Sequence, residues 1–82
     1  KAGMQQITQA FSALNLPYIQ SYGNFVTFFC GDAALLNQFF LQHGVIVRPL
    51  ANYGLHNALR VSIGTEAENT RFIQVLRQAM GE

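Results

Sequence analysis

The sequence predicts an α+β fold, an open-faced α/β sandwich in the order α-β-α-β-β-α. Its small, mainly antiparallel three-stranded sheet carries the helices on one face. Three observations lead there. Residues 58–64, Ala-Leu-Arg-Val-Ser-Ile-Gly, alternate strictly between apolar and polar or small side chains, the pattern of a half-buried strand. Residues 24–30 and 45–48 are rich in aromatic and β-branched residues, which favour strands. Apolar residues recur at helical spacing before, between and after these segments.

Met4, Ile7, Ala10, Phe11 and Leu14 line up on one side of a helix over residues 3–15, and Asn15-Leu16-Pro17 ends it because the residue before proline is pushed out of helical space. Tyr18–Gln20 reads as a short extended piece and Ser21-Tyr22-Gly23 as a turn. The strand 24–30 is apolar on both faces, which puts it well inside the sheet or against a partner surface. Asp32 is a good N-cap for the next helix. Leu35, Leu36, Phe39, Phe40 and His43 form that helix's wide apolar face, and Gly44 stops it. Val45 and Val47 share one face of the next strand, Ile46 and Arg48 the other, and Pro49 ends it. A turn-rich loop, Leu50 to Asn57, leads into the alternating strand. Thr65-Glu66-Ala67-Glu68 matches a capping box. Phe72, Ile73, Leu76 and Met80 supply the last helix's buried stripe.

Eighty-two residues make a single domain, 1–82, with half its residues hydrophobic and 11% charged. That is apolar for so small a unit, so one face is expected to be covered by something else. A net charge of +1 gives no footprint for nucleic acid or an acidic membrane surface. No stretch approaches the roughly 20 apolar residues of a membrane-spanning helix, and no signal peptide opens the chain. One cysteine and two histidines make neither an internal disulfide nor a zinc set. A reducing, cytoplasmic compartment is the expectation, as is a piece trimmed from a longer polypeptide, since the chain opens directly in helix-like sequence.

The right-handed crossover rule places strand 59–64 between 24–30 and 45–48, antiparallel to both. Leu59, Val61 and Ile63 then face the core, with Arg60 and Ser62 on the opposite face. Arg48 and Arg60 project together from the uncovered face as a candidate anion site, with Asn24 near a strand start. From the residues alone, the reading stops at a small α+β domain with this site.

Four stretches carry a resemblance: Gly23–Val26 (GNFV), Gly44–Leu55 (GVIVRPLANYGL), Asn57–Thr65 (NALRVSIGT) and Glu66–Phe72 (ExENxxF). In this order they resemble the C-terminal small domain of fold-type-I pyridoxal-phosphate aminotransferases, most closely the histidinol-phosphate aminotransferases. The resemblance implies an intact enzyme that moves an amino group between histidinol phosphate and a 2-oxo acid, 2-oxoglutarate, in histidine biosynthesis. It implies that Arg60 binds the substrate's anionic group, that Arg48 is a second contact to its phosphate, and that Asn24 lies near the substrate. It also implies that Asn52 and Tyr53 border the pocket, without an assigned role. It further implies a homodimer whose large domain holds pyridoxal phosphate on a lysine. The one lysine here is Lys1, outside the family's serine–lysine context, so the fragment alone is expected to bind no cofactor and to be inactive.

Other candidates read more simply. His43 complements a helix dipole, His56 is solvated, and Cys30 is a small apolar strand residue. Phe25, Phe28, Phe29, Phe39 and Phe40 are core and interface, and Glu66 and Glu68 begin a helix. Two other functions compete. One is a related enzyme on the same scaffold, an aromatic amino acid aminotransferase or a phosphothreonine decarboxylase. The other is a free-standing ferredoxin-like ligand-binding module that dimerises through its sheet face.

Overall fold

Helical periodicity at both ends of the chain and in its middle produces three helices, which pack against one side of a sheet. The computed structural model describes residues 2–20 and 23–82. Helix α1 spans Ala2–Ala13, strands β1 and β2 span Tyr18–Gln20 and Phe25–Phe29, and α2 spans Ala33–Gln42. Strand β3 (Arg48–Leu50), a single 3₁₀ turn (Ala51–Tyr53), β4 (Leu55–Ser62) and α3 (Glu66–Ala79) complete the order. The expected three strands become four in the order β1-β2-β4-β3, every neighbouring pair antiparallel. The fourth is β1, the short extended piece, paired Tyr18 to Phe28 and Gln20 to Val26. Of the expected turn at 21–23, Ser21 and Tyr22 lie outside the described residues, as does Lys1.

The central placement of β4 holds, but the strand boundaries shift. β4 starts at Leu55 rather than near residue 58, because Gly54 turns the chain within one residue at φ 82°, a left-handed conformation that glycine adopts at no steric cost. It ends at Ser62 because the next glycine is engaged elsewhere. The Gly64 N–H donates to Asn69 Oδ1 at 2.9 Å, and Asn69 Nδ2 donates back to the Gly64 carbonyl at 3.3 Å. The strand expected at 45–48 forms instead at Arg48–Leu50 and runs through Pro49. β3 is an edge strand, where one row of backbone groups has no ladder partner to lose, so proline is tolerated. Val45 cannot join it, since its N–H closes the end of α2 on the Phe40 carbonyl at 2.9 Å. The in–out alternation survives outside the strand: Val47 is buried and Ile46 is 77% exposed.

The core lies between the helices and the inner sheet face, where Val26, Phe28, Leu59 and Val61 meet Ile7, Phe11, Leu36, Phe40, Phe72, Val75 and Leu76. Four of its rings interlock. Phe11 stacks on Phe28 with centroids 4.7 Å apart, Phe40 stacks on Phe72 at 5.1 Å, and Phe28 meets Phe72 edge to face at 5.8 Å. Offset and edge-to-face pairs add about 0.5–1.5 kcal/mol each beyond the area they bury. Gly3 lets α1 approach the β4–α3 junction: a Cβ there would stand 2.8 Å from Ile63 Cγ2.

Both helix starts form as their sequences require. Asp32 accepts the Leu35 N–H at 3.1 Å, and Thr65 and Glu68 form the reciprocal capping box. Two helix faces differ from expectation. In α2 the inward residues are Ala33, Leu36 and Phe40, while Leu35 is exposed because it lies about 100° around the helix from Leu36. In α3 the buried stripe is Asn69, Phe72, Val75 and Leu76. Ile73 packs at its margin, and Met80 falls past the last turn and is exposed. Asn69 is 2% exposed, and its amide closes both polar groups of Gly64. Replacing it leaves the N–H and carbonyl of Gly64, an exposed residue, without these two hydrogen bonds, so at about 0.5–1.5 kcal/mol each Asn69→Ala is expected to cost roughly 1–3 kcal/mol. A lowered urea midpoint at unchanged slope checks this.

Candidate functional site

The site follows from which way β4 faces. Leu59 and Val61 enter the core, so Arg60 and Ser62 must stand on the uncovered face. Arg60 sits opposite Arg48 on β3 and opposite Thr27 on β2. Ile19 of β1 pairs with Thr27. One row across the open face therefore reads Ile19, Thr27, Arg60, Arg48.

Arg48 and Arg60 line a single open cleft of about 530 Å³ with Ile46, Val47, Pro49, Asn52 and Ser62. Like charges directly opposite on neighbouring strands destabilise a sheet. Among the described residues, neither arginine has an ion pair. The guanidinium of Arg60 instead lies over the Phe25 ring, 4.4 Å from its centroid. The donor set is two guanidinium forks, a hydroxyl and an amide, and what such a set attracts is an anion with several acceptor oxygens.

Asn24 is not brought into this cleft. It precedes Phe25, which takes the open-face position, and adjacent strand residues point oppositely. Its carbonyl accepts the Ile63 N–H at 2.7 Å, and it lines a separate hollow of about 230 Å³ with Met4, Gln20, Gly23 and Ile63. Asn52 does line the arginine cleft, whereas Tyr53 is exposed and does not. Ser62 and Phe25 are the neighbours that sequence reasoning passed over. Ser62 was legible as sharing a face with Arg60, but Phe25 reads as one of several core and interface phenylalanines until the β2–β4 register pairs it with Ser62.

The remaining candidates take structural places. His43 caps α2, its Nδ1 2.8 Å from the Phe39 carbonyl oxygen, and Arg71 donates to the His43 carbonyl at 3.2 Å. His56 is exposed on β4. Among the described residues no group of His, Cys, Asp and Glu is placed to hold a metal ion, and no helix is long and apolar enough to cross a membrane.

The family model for aminotransferase class I and II matches residues 1–76, and the chain belongs to that family. It is 52% identical over 80 residues to histidinol-phosphate aminotransferase 1 of Dechloromonas aromatica. It is 54% identical over 80 residues to the histidinol-phosphate aminotransferase of Methylobacillus flagellatus. Each alignment takes in 98% of this chain but 22% of the relative, so the chain spans under a quarter of the length of these relatives. A solved structure described as a candidate aminotransferase, from Burkholderia pseudomallei K96243, superposes with a TM-score of 0.88 at 26% identity. It covers 96% of this chain and 24% of that one.

Cys30, just after β2, packs against the core. Burial pushes its thiol from 9.0 up to about 11, and the nearby Asp32 charge adds to the rise. The raised value favours the neutral thiol, so the stability it contributes is complete below pH 9 and is lost as pH climbs toward 11. At pH 8 the thiol carries roughly a hundredfold less thiolate than an unperturbed one. Iodoacetamide should therefore alkylate it far more slowly than free cysteine, with the rate rising up to about pH 11. Asp32→Asn removes one of the two causes and should shift the rate profile to lower pH.

Proposed function

We propose that residues 1–82 are the C-terminal small domain of a histidinol-phosphate aminotransferase and supply the arginines that hold its substrate's anionic group. The observation that carries this reading is the cross-strand pair Arg48 and Arg60, lining one cleft with no acidic partner among the described residues. Two like charges kept together on an exposed sheet face cost stability, and an incoming anion offsets that cost. The relatives' names supply the substrate class, and the four ordered sequence stretches favour this reading over a free-standing ferredoxin-like module.

In this reading Arg60 presents its fork to the phosphate of histidinol phosphate in one half of the reaction. In the other half it meets a carboxylate of 2-oxoglutarate, since a planar guanidinium pairs with either anion. Arg48 adds a second positive charge, which suits a phosphate carrying nearly two negative charges. Ser62 and Asn52 border the same cleft as further hydrogen-bonding groups. Together they orient the substrate, a contribution of placement to the rate. Asn24 approaches the substrate only from its own hollow and is the weakest member of the set.

The cofactor implied by the family resemblance is pyridoxal phosphate, which needs a lysine amine to hold it covalently. The described residues contain no lysine, so their donor set does not fit that bond. The cofactor is assigned to a large domain of the same polypeptide, and this chain by itself is proposed to be inactive. A cytoplasmic homodimer is carried over from the same resemblance.

The test uses the full-length enzyme, with histidinol phosphate as amino donor and 2-oxoglutarate as acceptor, following glutamate formation. Transfer with this pair supports the reading. Transfer from an aromatic amino acid alone would keep the scaffold and replace the substrate, and no transfer from any amino donor would end it. Arg60→Ala is expected to raise KM and to lower kcat/KM by roughly 30- to 150-fold, the loss of about 2–3 kcal/mol from a charged hydrogen-bond partner. Arg48 is more exposed, and Arg48→Ala should cost about tenfold. Near-normal kinetics for Arg60→Ala would remove it from the site.

A further inference from the structure

We propose that Phe25 is a positioning residue for Arg60, holding its guanidinium against an aromatic ring rather than a carboxylate, so that its N–H donors are not taken up by an acidic partner before the substrate anion arrives. The inference rests on the reading of Arg60 as an anion ligand. Phe25 stands on the open face, paired with Ser62, which is two residues beyond Arg60 on the same face of β4. That makes Phe25 and Arg60 diagonal neighbours across the strands, a separation that long and aromatic side chains bridge. The guanidinium carbon is 4.4 Å from the ring centroid, well inside the range in which a ring's negative face attracts a cation.

Phe25 is less buried than its strand neighbours. On the same strand Val26 and Phe28 are fully buried, whereas Phe25 is 36% exposed. The charge on Arg60 needs support because Arg48 lies directly opposite. A carboxylate would supply that support and would also occupy the N–H fork, competing with the substrate. A ring attracts the cation without bringing carboxylate oxygens to the fork, so it does not compete with the substrate for the N–H donors as an acid would. It also limits the rotamers of a long side chain before the anion arrives, so less freedom is lost on binding.

The experiment measures the dissociation constant of inorganic phosphate for the full-length, cofactor-loaded enzyme at low ionic strength. Phe25→Leu removes the aromatic face and should weaken binding about three- to tenfold. Phe25→Met, which keeps the apolar bulk, should show the same loss, while Phe25→Tyr, which keeps the ring, should bind within about twofold of the parent. In an Arg60→Ala background, Phe25→Leu should have no further effect, because the ring acts through the arginine. A purely structural role for the ring would lower affinity equally in both backgrounds. That outcome, or unchanged affinity in Phe25→Leu while Arg60→Ala binds weakly, overturns the inference and leaves the anion site standing. Unchanged affinity in Arg60→Ala itself overturns the anion reading, and this inference with it.

Discussion

The pairing of β4 with both of its neighbours decides where every side chain of the site stands. β4 lies between β2 and β3, so its alternation is read twice, once against each. Val26 and Phe28 meet Val61 and Leu59 on the inner face, while Thr27 and Arg48 flank Arg60 on the outer one. A slip of one residue would carry Arg60 into an apolar core and leave Leu59 and Val61 in water. Burying an unpaired guanidinium costs several kcal/mol, and exposing two core side chains forfeits about 1.5–3 kcal/mol each. The register is therefore steeply preferred, and the arginine pair follows from it.

Among the described residues, helices cover one face of this sheet and none covers the other. The inner face has an interlocked set of phenylalanines to bury, and α1, α2 and α3 bring Phe11, Phe40 and Phe72 to it. The outer face carries Ile19, Phe25 and the two arginines, a mixture that neither packs as a core nor dissolves as a surface. In the proposed reading, this bare face and its two arginines work against the rest of a longer polypeptide. The relatives, more than four times as long as the matched stretch, have the additional chain to supply it.

Much of the architecture was legible because the signals are local. The N-cap at Asp32 and the capping box at Thr65 and Glu68 depend on residues within one helical turn, and both formed as the sequence requires. The alternation from Leu59 to Ser62 identified the core and open faces of β4 without reference to any other strand. Misreadings occurred where packing or a competing backbone hydrogen bond decides. Proline stops a central strand but not an edge strand, so the limits of β3 depended on its place in the sheet. Val45 looked like a strand residue until its N–H was needed to close α2. The inward side of α2 was set by the neighbours of Leu36 and Phe40, which left Leu35 outside.

The sequence by itself determined the fold class, the central strand, the two arginines on one face and the family to which they belong. Each rests on periodicity or on short ordered motifs, which do not need the chain to be folded to be read. Only the tertiary structure decided that Arg48 stands opposite Arg60, that Asn24 opens into a different hollow, and that Phe25 lies under a guanidinium rather than in the core. The two arginines are 12 positions apart in sequence, and Phe25 and Arg60 are 35 apart, joined only through strand register. Register is set by the summed burial of the whole sheet, a quantity that no local stretch of sequence contains.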